Sequence, residues 1–367
     1  MKFICEKNVL QKEISFAQEI ISSKSTLSVV SNVFLDAREG SLQIRATDIK
    51  IGFDTRIPVN VVEAGNCTVF CEKLSAILAN IPDGMIEIEQ TENKVIIKPS
   101  FKKARFSLKT IGSDQFPQLP DIDDDKYFAL PLSDFKEMIS QVIFAVSDDE
   151  TRYFMNGVFL ERNQDGLIMV ATDGRRLAYI KKDLVEGIPE FKGIIIPPKL
   201  LNLILRRAGN EGQIKLAVTD KNLFVKFGLY QLSSVLIEGQ FPNYQKVIPE
   251  SHEYKSVLSR SDVIDALKRV SLFVEQKSRR IFFELSEGKL VISSEETELG
   301  AAKEEIECDY SGPNSVIAIN YKYIEEPLRV IDTEDYTLSF TDTNRAITLT
   351  PVPEASYFHI LMPMQVD

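Results

Sequence analysis

Apolar residues recur at helical spacing in six places along the chain, and after each one apolar and polar residues alternate as they do in half-buried strands. Leu10, Ile14, Ala17, Ile20 and Ile21 mark the first helix, and alternation then runs through 32–35, 42–46 and 53–59. A shorter helix around 73–80 rests on Leu74, Ile77 and Leu78 and stops at Pro82-Asp83-Gly84. Strands follow at 85–89, 94–98 and 105–108. Further helices are predicted from Phe135, Met138, Ile139 and Val142, from Leu200, Leu203 and Ile204, and from Val263, Ile264, Leu267 and Val270. Ile324, Leu328 and Ile331 predict a sixth. Pro327 counts against it, because an interior proline removes one hydrogen bond and crowds the preceding turn.

The pattern is a repeat. Val33-Phe34-Leu35 returns as Val158-Phe159-Leu160, Ala46-Thr47-Asp48 as Ala171-Thr172-Asp173, and Gln115-Phe116-Pro117 as Gln240-Phe241-Pro242, each 125 residues on. Since 367 residues hold nearly three such units, a third copy is expected in the C-terminal part. Phe283-Glu284-Leu285 and Leu290-Val291-Ile292-Ser293 supply its traces. The fold class is therefore α+β: three repeated domains, each of two helix-plus-sheet halves. The domains fall at 1–121, 127–249 and 252–367, joined by polar stretches at 121–125 and 249–252.

Composition narrows the class. Domains of about 120 residues can each hold a core. Lys2 and then Glu6-Lys7 break the only apolar run at the start, so no signal peptide is expected, and no stretch is long enough to span a membrane. The expected location is cytoplasmic, with no membrane partner. The four cysteines do not make a disulfide framework, and Cys67 with Cys71 lacks the further ligands a zinc site needs. No cofactor and no metal is expected.

Catalytic motifs are missing as well. The sequence has no phosphate-binding glycine loop, no dinucleotide fingerprint and no nucleophile elbow. Asp121, Asp123 and Asp125 imitate a calcium loop, but Lys126 and Leu132 stand where that loop needs glycine and glutamate. Asp48 and Asp173, at equivalent repeat positions, read as turn residues that bond local backbone. The net charge of −11 argues against a plain basic DNA-binding surface. The six predicted helices nevertheless carry a net +4, leaving −15 on the rest, so converging helices would make a mildly basic face on an acidic body.

Thr172-Asp173-Gly174-Arg175-Arg176-Leu177, Gly239-Gln240-Phe241-Pro242-Asn243-Tyr244 and the terminal Met362-Pro363-Met364, set in a threefold repeat, resemble the bacterial sliding clamp family, the β subunits of DNA polymerase III. The resemblance covers the whole chain. It implies a non-catalytic, nucleoid-associated processivity subunit with the DNA clamp fold, a ring-forming head-to-tail homodimer around double-stranded DNA. Its implied partners are a clamp loader, the replicative polymerase catalytic subunit, and other polymerases and repair proteins bound through a clamp-binding peptide. Twelve helices, each about 10 Å wide, could line a circle roughly 40 Å across. A head-to-tail contact that closes after two copies gives a ring instead of a filament.

Two sets of residues carry over from the resemblance, and a ring interface is legible beside them. Lys24, Arg152, Tyr153, Lys199, Asn320 and Tyr323 match DNA-facing positions, although Asp148-Asp149 departs from the family just before Arg152. Met155, Thr172, Gly174, Arg175, Arg176, Leu177, Pro242, Lys246, Val247, Ile360, Met362, Pro363 and Met364 match the partner-peptide pocket, where flexible thioethers suit a surface that repacks. Arg175 and Gln365 depart from the family there. Phe106 and Leu108, flanked by Lys103 and Arg105, are expected to meet Leu272 and Phe273 of the partner, with Glu304 in the facing acidic stretch. Two rivals remain at this point, a metal-dependent nuclease and a monomeric protein-binding scaffold.

Overall fold

The computed structural model describes residues 1–21, 28–183, 186–298 and 300–365. Six α-helices appear: α1 (Lys7–Ile20), α2 (Cys71–Asn80), α3 (Leu132–Val142), α4 (Pro198–Arg207), α5 (Arg260–Val270) and α6 (Tyr321–Val330). Each stands where the apolar spacing placed it. Leu10, Ile14 and Ala17 of α1 are buried, as are Val263, Ala266, Leu267 and Val270 of α5. Ser259 caps α5 by accepting from the Asp262 N–H, and Asn320 caps α6 by accepting from the Lys322 N–H. After α3 and α5 the chain tightens into 3₁₀ turns at Ile143–Ala145 and Ser271–Phe273. α6 runs through Pro327, which is buried beside Ile324 and Leu328. Burial of that face offsets the hydrogen bond the proline cannot donate.

The two Thr-Asp turns behave as their repeat positions suggested. Asp48 Oδ1 accepts from the N–H groups of Lys50 (3.0 Å) and Ile51 (2.7 Å). Asp173 Oδ1 accepts from Arg175 (2.8 Å) and Arg176 (3.0 Å). The residue after each aspartate is left-handed: Gly174 at φ 85° and Ile49 at φ 79°. Glycine takes that conformation freely, whereas a β-branched side chain there is strained.

Packing groups the chain into two compact units, Met1–Ser133 with Asn202–Leu236, and Asp134–Leu201 with Ile237–Asp367. The first holds a thirteen-stranded antiparallel sheet. Its order is Phe128–Pro131, Gln213–Val218, Asn222–Phe227, Tyr230–Val235, Ile51–Pro58, Ser41–Thr47, Asn32–Arg38, Gly65–Phe70, Phe106–Ile111, Lys94–Pro99, Met85–Thr91, Lys2–Glu6, Asn60–Glu63. The second unit holds two sheets. One has eight strands, Phe191–Ile196, Val158–Asn163, Gly166–Thr172, Arg176–Lys182, Tyr357–Leu361, Ile347–Val352, Asp335–Phe340 and Tyr254–Ser259. The other has four, Lys303–Glu307, Lys289–Ser294, Arg280–Ser286 and Ser315–Asn320.

Both large sheets are continuous across the sequence repeat, through the same joint. In the first unit Ile51–Pro58 pairs with Tyr230–Val235, Phe53 opposite Leu232. In the second Arg176–Lys182 pairs with Tyr357–Leu361, Ala178 opposite His359. Phe53 and Ala178 are 125 residues apart, so a first-half strand of one repeat meets a second-half strand of the next in both cases. The third pair of equivalent strands is not joined in this way. Lys303–Glu307 is the edge of its sheet. Phe106–Lys109 pairs with 94–97 on one side, while only Thr110 and Ile111 reach Gly65–Phe70 on the other. Of the three repeat-equivalent strand pairs, this is the one left unjoined among the described residues.

Candidate functional site

The strand joint in the second unit builds a pocket. The Thr172–Arg176 turn forms one wall. There the Thr172 hydroxyl donates to the Arg176 carbonyl (2.6 Å) and accepts from the Gly174 N–H (3.0 Å). Leu177 and Ile360, opposite each other in the ladder and almost fully buried, form the floor. The chain end is held against the turn because the Met362 N–H donates to the Arg175 carbonyl (2.8 Å). The turn Pro242–Val247 closes the far side. The result is a cavity of about 310 Å³ lined by Met155, Thr172, Gly174, Arg175, Arg176, Leu177, Pro242, Asn243, Tyr244, Val247, Ile360 and Met362. That volume and its apolar lining suit a few buried side chains of a short peptide.

Beneath the floor lies a rigid support. Ile168, Val170, Leu177, Ile195, Phe241, Tyr244 and Ile360 form one buried cluster, with Phe159 stacked on Phe241 (centroids 4.8 Å) and Tyr179 on Phe358 (4.7 Å). The Tyr244 hydroxyl donates to Glu161 Oε1 (2.5 Å), and burial, more than that carboxylate, pushes the phenol's pKa up. On the opposite face of the Ile360 strand, His359 is fully buried between the rings of Phe144 and Tyr357. Neither of its ring nitrogens has a hydrogen-bond partner among the described residues, and desolvation pulls its pKa down to about 3.

Arg176 ties the pocket to α6. Its guanidinium pairs with Asp173 (3.1 Å) and Glu326, donates to the Phe144 carbonyl (2.6 Å), and lies 4.7 Å from the centre of the Tyr323 ring. Only 9% of that side chain is exposed, so it acts as a buried bracket whose charge is met on both sides.

Of the residues expected in the pocket, Lys246, Pro363 and Met364 are not in its lining. Lys246 is exposed on the turn whose neighbours Tyr244 and Val247 face inward. Met364 is drawn elsewhere, because its N–H donates to the Ala318 carbonyl (2.8 Å) and extends the four-stranded sheet. Asn243 and Tyr244 line the pocket without having been singled out for it. The sequence signal for them was their place directly after Pro242, in a turn that repeats Gln115-Phe116-Pro117.

The expected DNA-facing residues stand on several elements. Lys24 lies outside the described residues. Arg152 pairs with Asp149 (3.0 Å), a carboxylate held low by hydrogen bonds from Thr151 and then by Arg152. Glycine at the pocket's edge, position 174, fits its left-handed backbone at φ 85°. Tyr153 is exposed, Lys199 lies in the first turn of α4, Asn320 caps α6 and Tyr323 lies against Arg176.

At the unjoined edges, Lys103 and Arg105 are exposed, and Phe106 and Leu108 are half-buried on alternate positions of their strand. Leu272 is 78% exposed and Phe273 37%, both on the 3₁₀ turn after α5. Glu304, on the other unjoined edge, pairs with Arg269 of its own chain, which lowers its pKa. Cys5, Cys67 and Cys71 are buried, and burial pushes each thiol up to about 12, which keeps them inert.

A repeated antiparallel scaffold with one repeat-equivalent strand pair left unjoined and an apolar, peptide-sized pocket has the form of a docking protein. Comparison with known proteins gives the family. Residues 1–120, 129–243 and 245–365 match the N-terminal, central and C-terminal domains of the DNA polymerase III beta subunit. The chain is 46% identical to the beta sliding clamp of Treponema pallidum over 371 residues and 28% identical to that of Pseudomonas aeruginosa, with all of both chains covered each time. Among solved structures it is similar to the griselimycin-bound sliding clamp of Pseudomonas aeruginosa (TM-score 0.94, 28% identity) and to that of Bacillus subtilis (TM-score 0.94, 25% identity), again over all of both chains. The chain belongs to the DNA polymerase III beta subunit family, and its fold is the α+β clamp fold.

Proposed function

We propose that this chain is a DNA sliding clamp, a processivity factor and not a catalyst. Two copies would close head to tail around double-stranded DNA and tether the replicative polymerase. The observation that carries the ring is the unmade third joint. Two of three repeat-equivalent strand pairs are joined within the chain, and the remaining edges, Phe106–Lys109 and Lys303–Glu307, cannot meet more naturally than across a second copy. The chemistry is complementary. Lys103 and Arg105 flank one edge, and the other lies in a stretch with six glutamates and one lysine between 295 and 307. Phe106 and Leu108 would cover Leu272 and Phe273.

In this reading Lys24, Arg152, Tyr153, Lys199, Asn320 and Tyr323 face the duplex, and the Met362 pocket takes short apolar peptides of polymerases, repair proteins and the clamp loader. The protein would work in the cytoplasm, on the nucleoid. No described helix is long and apolar enough to cross a membrane.

Topology makes the test. A protein held by phosphate contacts loses roughly 0.9 log unit of affinity per log unit of salt for each contact. A closed ring does not follow that slope. Loaded on a nicked circle by a clamp loader with ATP, the protein should survive a high-salt wash and leave when the circle is linearised. Equal loss from circle and line would mean ordinary electrostatic binding and would end the clamp reading.

A further inference from the structure

The strand joint is built twice within the chain, and its two copies carry different chemistry. In the first unit Phe53 packs on Phe16 of α1 (centroids 4.7 Å), so Gly52 and Asp54, one residue to either side, face away from the helix. A cavity of about 260 Å³ opens there, with Gly52, Asp54, Gln118, Leu119, Gln231 and Ser233 in its lining. It holds the same place in the repeat as the apolar pocket. Gly52 and Leu119 stand 125 residues before Leu177 and Tyr244, and Ser233 is opposite Gly52 as Ile360 is opposite Leu177. Where the second joint has Leu177 and Ile360, the first therefore has Gly52 and Ser233. Asp54 and Gln231 likewise stand for the stacked pair Tyr179 and Phe358.

Ser233 is 6% exposed, lines the cavity, and its hydroxyl has no hydrogen-bond partner among the described residues. Gly52 has no side chain to cover it. A buried hydroxyl that faces a cavity needs its partner from outside the chain. The charges beside it are unevenly matched. Both nearby cations are engaged: Arg45 donates through Nε to Asp54 Oδ2 (2.7 Å), and Lys226 pairs with Asp124. Carboxylate oxygens are left over. Asp54 uses only Oδ2, which also accepts from Gln43 (2.7 Å), and Asp121 accepts only from the N–H of its neighbour Ile122 (2.9 Å) among the described residues.

We propose that this first-joint cavity is a second docking site, and that it takes an arginine side chain from a basic segment of a partner protein. A guanidinium carries five donors in one plane, enough for the Ser233 hydroxyl, the amide oxygens of Gln118 and Gln231, and the open carboxylate oxygens. The aliphatic stem would lie along Leu119, Pro120 and Leu232. An acidic segment would meet Asp54 and Asp121 instead, and a wholly apolar one would leave Ser233 unpaired. The inference depends neither on the ring nor on the apolar pocket.

The test uses the full-length protein and two short acetylated peptides that are identical except that one carries arginine and the other citrulline, its uncharged counterpart. Ligand-detected saturation-transfer NMR measures both affinities. The expected result is about a 3- to 5-fold preference for the arginine peptide at low salt, falling towards one at roughly 0.5 M salt. Asp121→Asn, an exposed change that leaves the fold alone, should cut that preference. Ser233→Ala should weaken both peptides, since both donate to the hydroxyl. Asp165→Asn, in the exposed turn between Val158–Asn163 and Gly166–Thr172, removes the same charge far from the cavity lining and should change nothing. Equal binding of the two peptides by the unaltered protein would overturn arginine as the ligand. Affinities untouched by both Asp121→Asn and Ser233→Ala would mean general attraction to an acidic protein and would overturn the site. If neither peptide binds, the proposal fails outright.

Discussion

The proposed interface between two copies centres on Leu272 and Phe273, and replacing both with alanine tests it. In the single chain Leu272 is 78% exposed and Phe273 37%, so the fold loses little when they shrink. At an interface centre, apolar anchors of this kind contribute about 2 kcal/mol or more each. The double substitution therefore removes about 4 kcal/mol per interface, roughly a thousandfold in affinity. A two-chain ring has two such interfaces, so both are weakened at once and closure loses roughly a millionfold. A dimer that is stable at nanomolar concentration would become a monomer at micromolar concentration. Analytical ultracentrifugation or mass photometry reads the change directly, and circular dichroism with a thermal melt shows whether the chain is still folded. A folded double variant that remains a dimer at micromolar concentration would refute the interface assignment.

Two further outcomes follow from single residues. His359 is held neutral by burial, with a folded pKa near 3 against about 6.5 when unfolded. Between those values the unfolded chain binds the proton and the folded one does not, so this residue's contribution is fully present above pH 6.5 and is lost as pH falls, at up to roughly 1.4 kcal/mol per pH unit; denaturant melts of His359→Leu should show a flatter fall in stability from pH 6.5 to 4 than the unaltered protein. Ile49 stands in the left-handed conformation that Gly174 occupies in the next repeat, and its side chain is 61% exposed. Ile49→Gly should therefore stabilise the chain by about 1 kcal/mol, and an unchanged or lower melting midpoint would show that the side chain makes a contact worth more than the strain.

Much of the fold was legible because it is local. Helical spacing located all six helices of the described residues, and the repeated Ala-Thr-Asp told turn from catalyst, as the Asp48 and Asp173 hydrogen bonds show. What the sequence could not reveal is pairing between distant strands. Phe53 and Leu232 are neighbours in one sheet although 179 residues separate them, and nothing in either strand's alternation names its partner. For that reason the sequence divides into three repeats while the packing divides into two units. The pocket shows the same limit. Leu177, Ile360 and Met362 came from motifs, but the departure of Met364 depends on one backbone bond to Ala318, and the inward turn of Tyr244 depends on Glu161.

The joint between a first-half strand and the second-half strand of the next repeat has a consequence for assembly. A protein of one repeat would need six copies to close the proposed ring, and every joint would have to form from solution. With three repeats fused, four of the six joints form within chains, where the polar linkers at 121–125 and 249–252 keep neighbouring repeats at effective concentrations on the order of millimolar. Only two joints are left to meet by diffusion. Those two are also the only places where the ring can open without unzipping a sheet inside a chain. Gene fusion would thus have divided one kind of contact into hinges that never part and gates that can, using the same hydrogen-bonded edge for both.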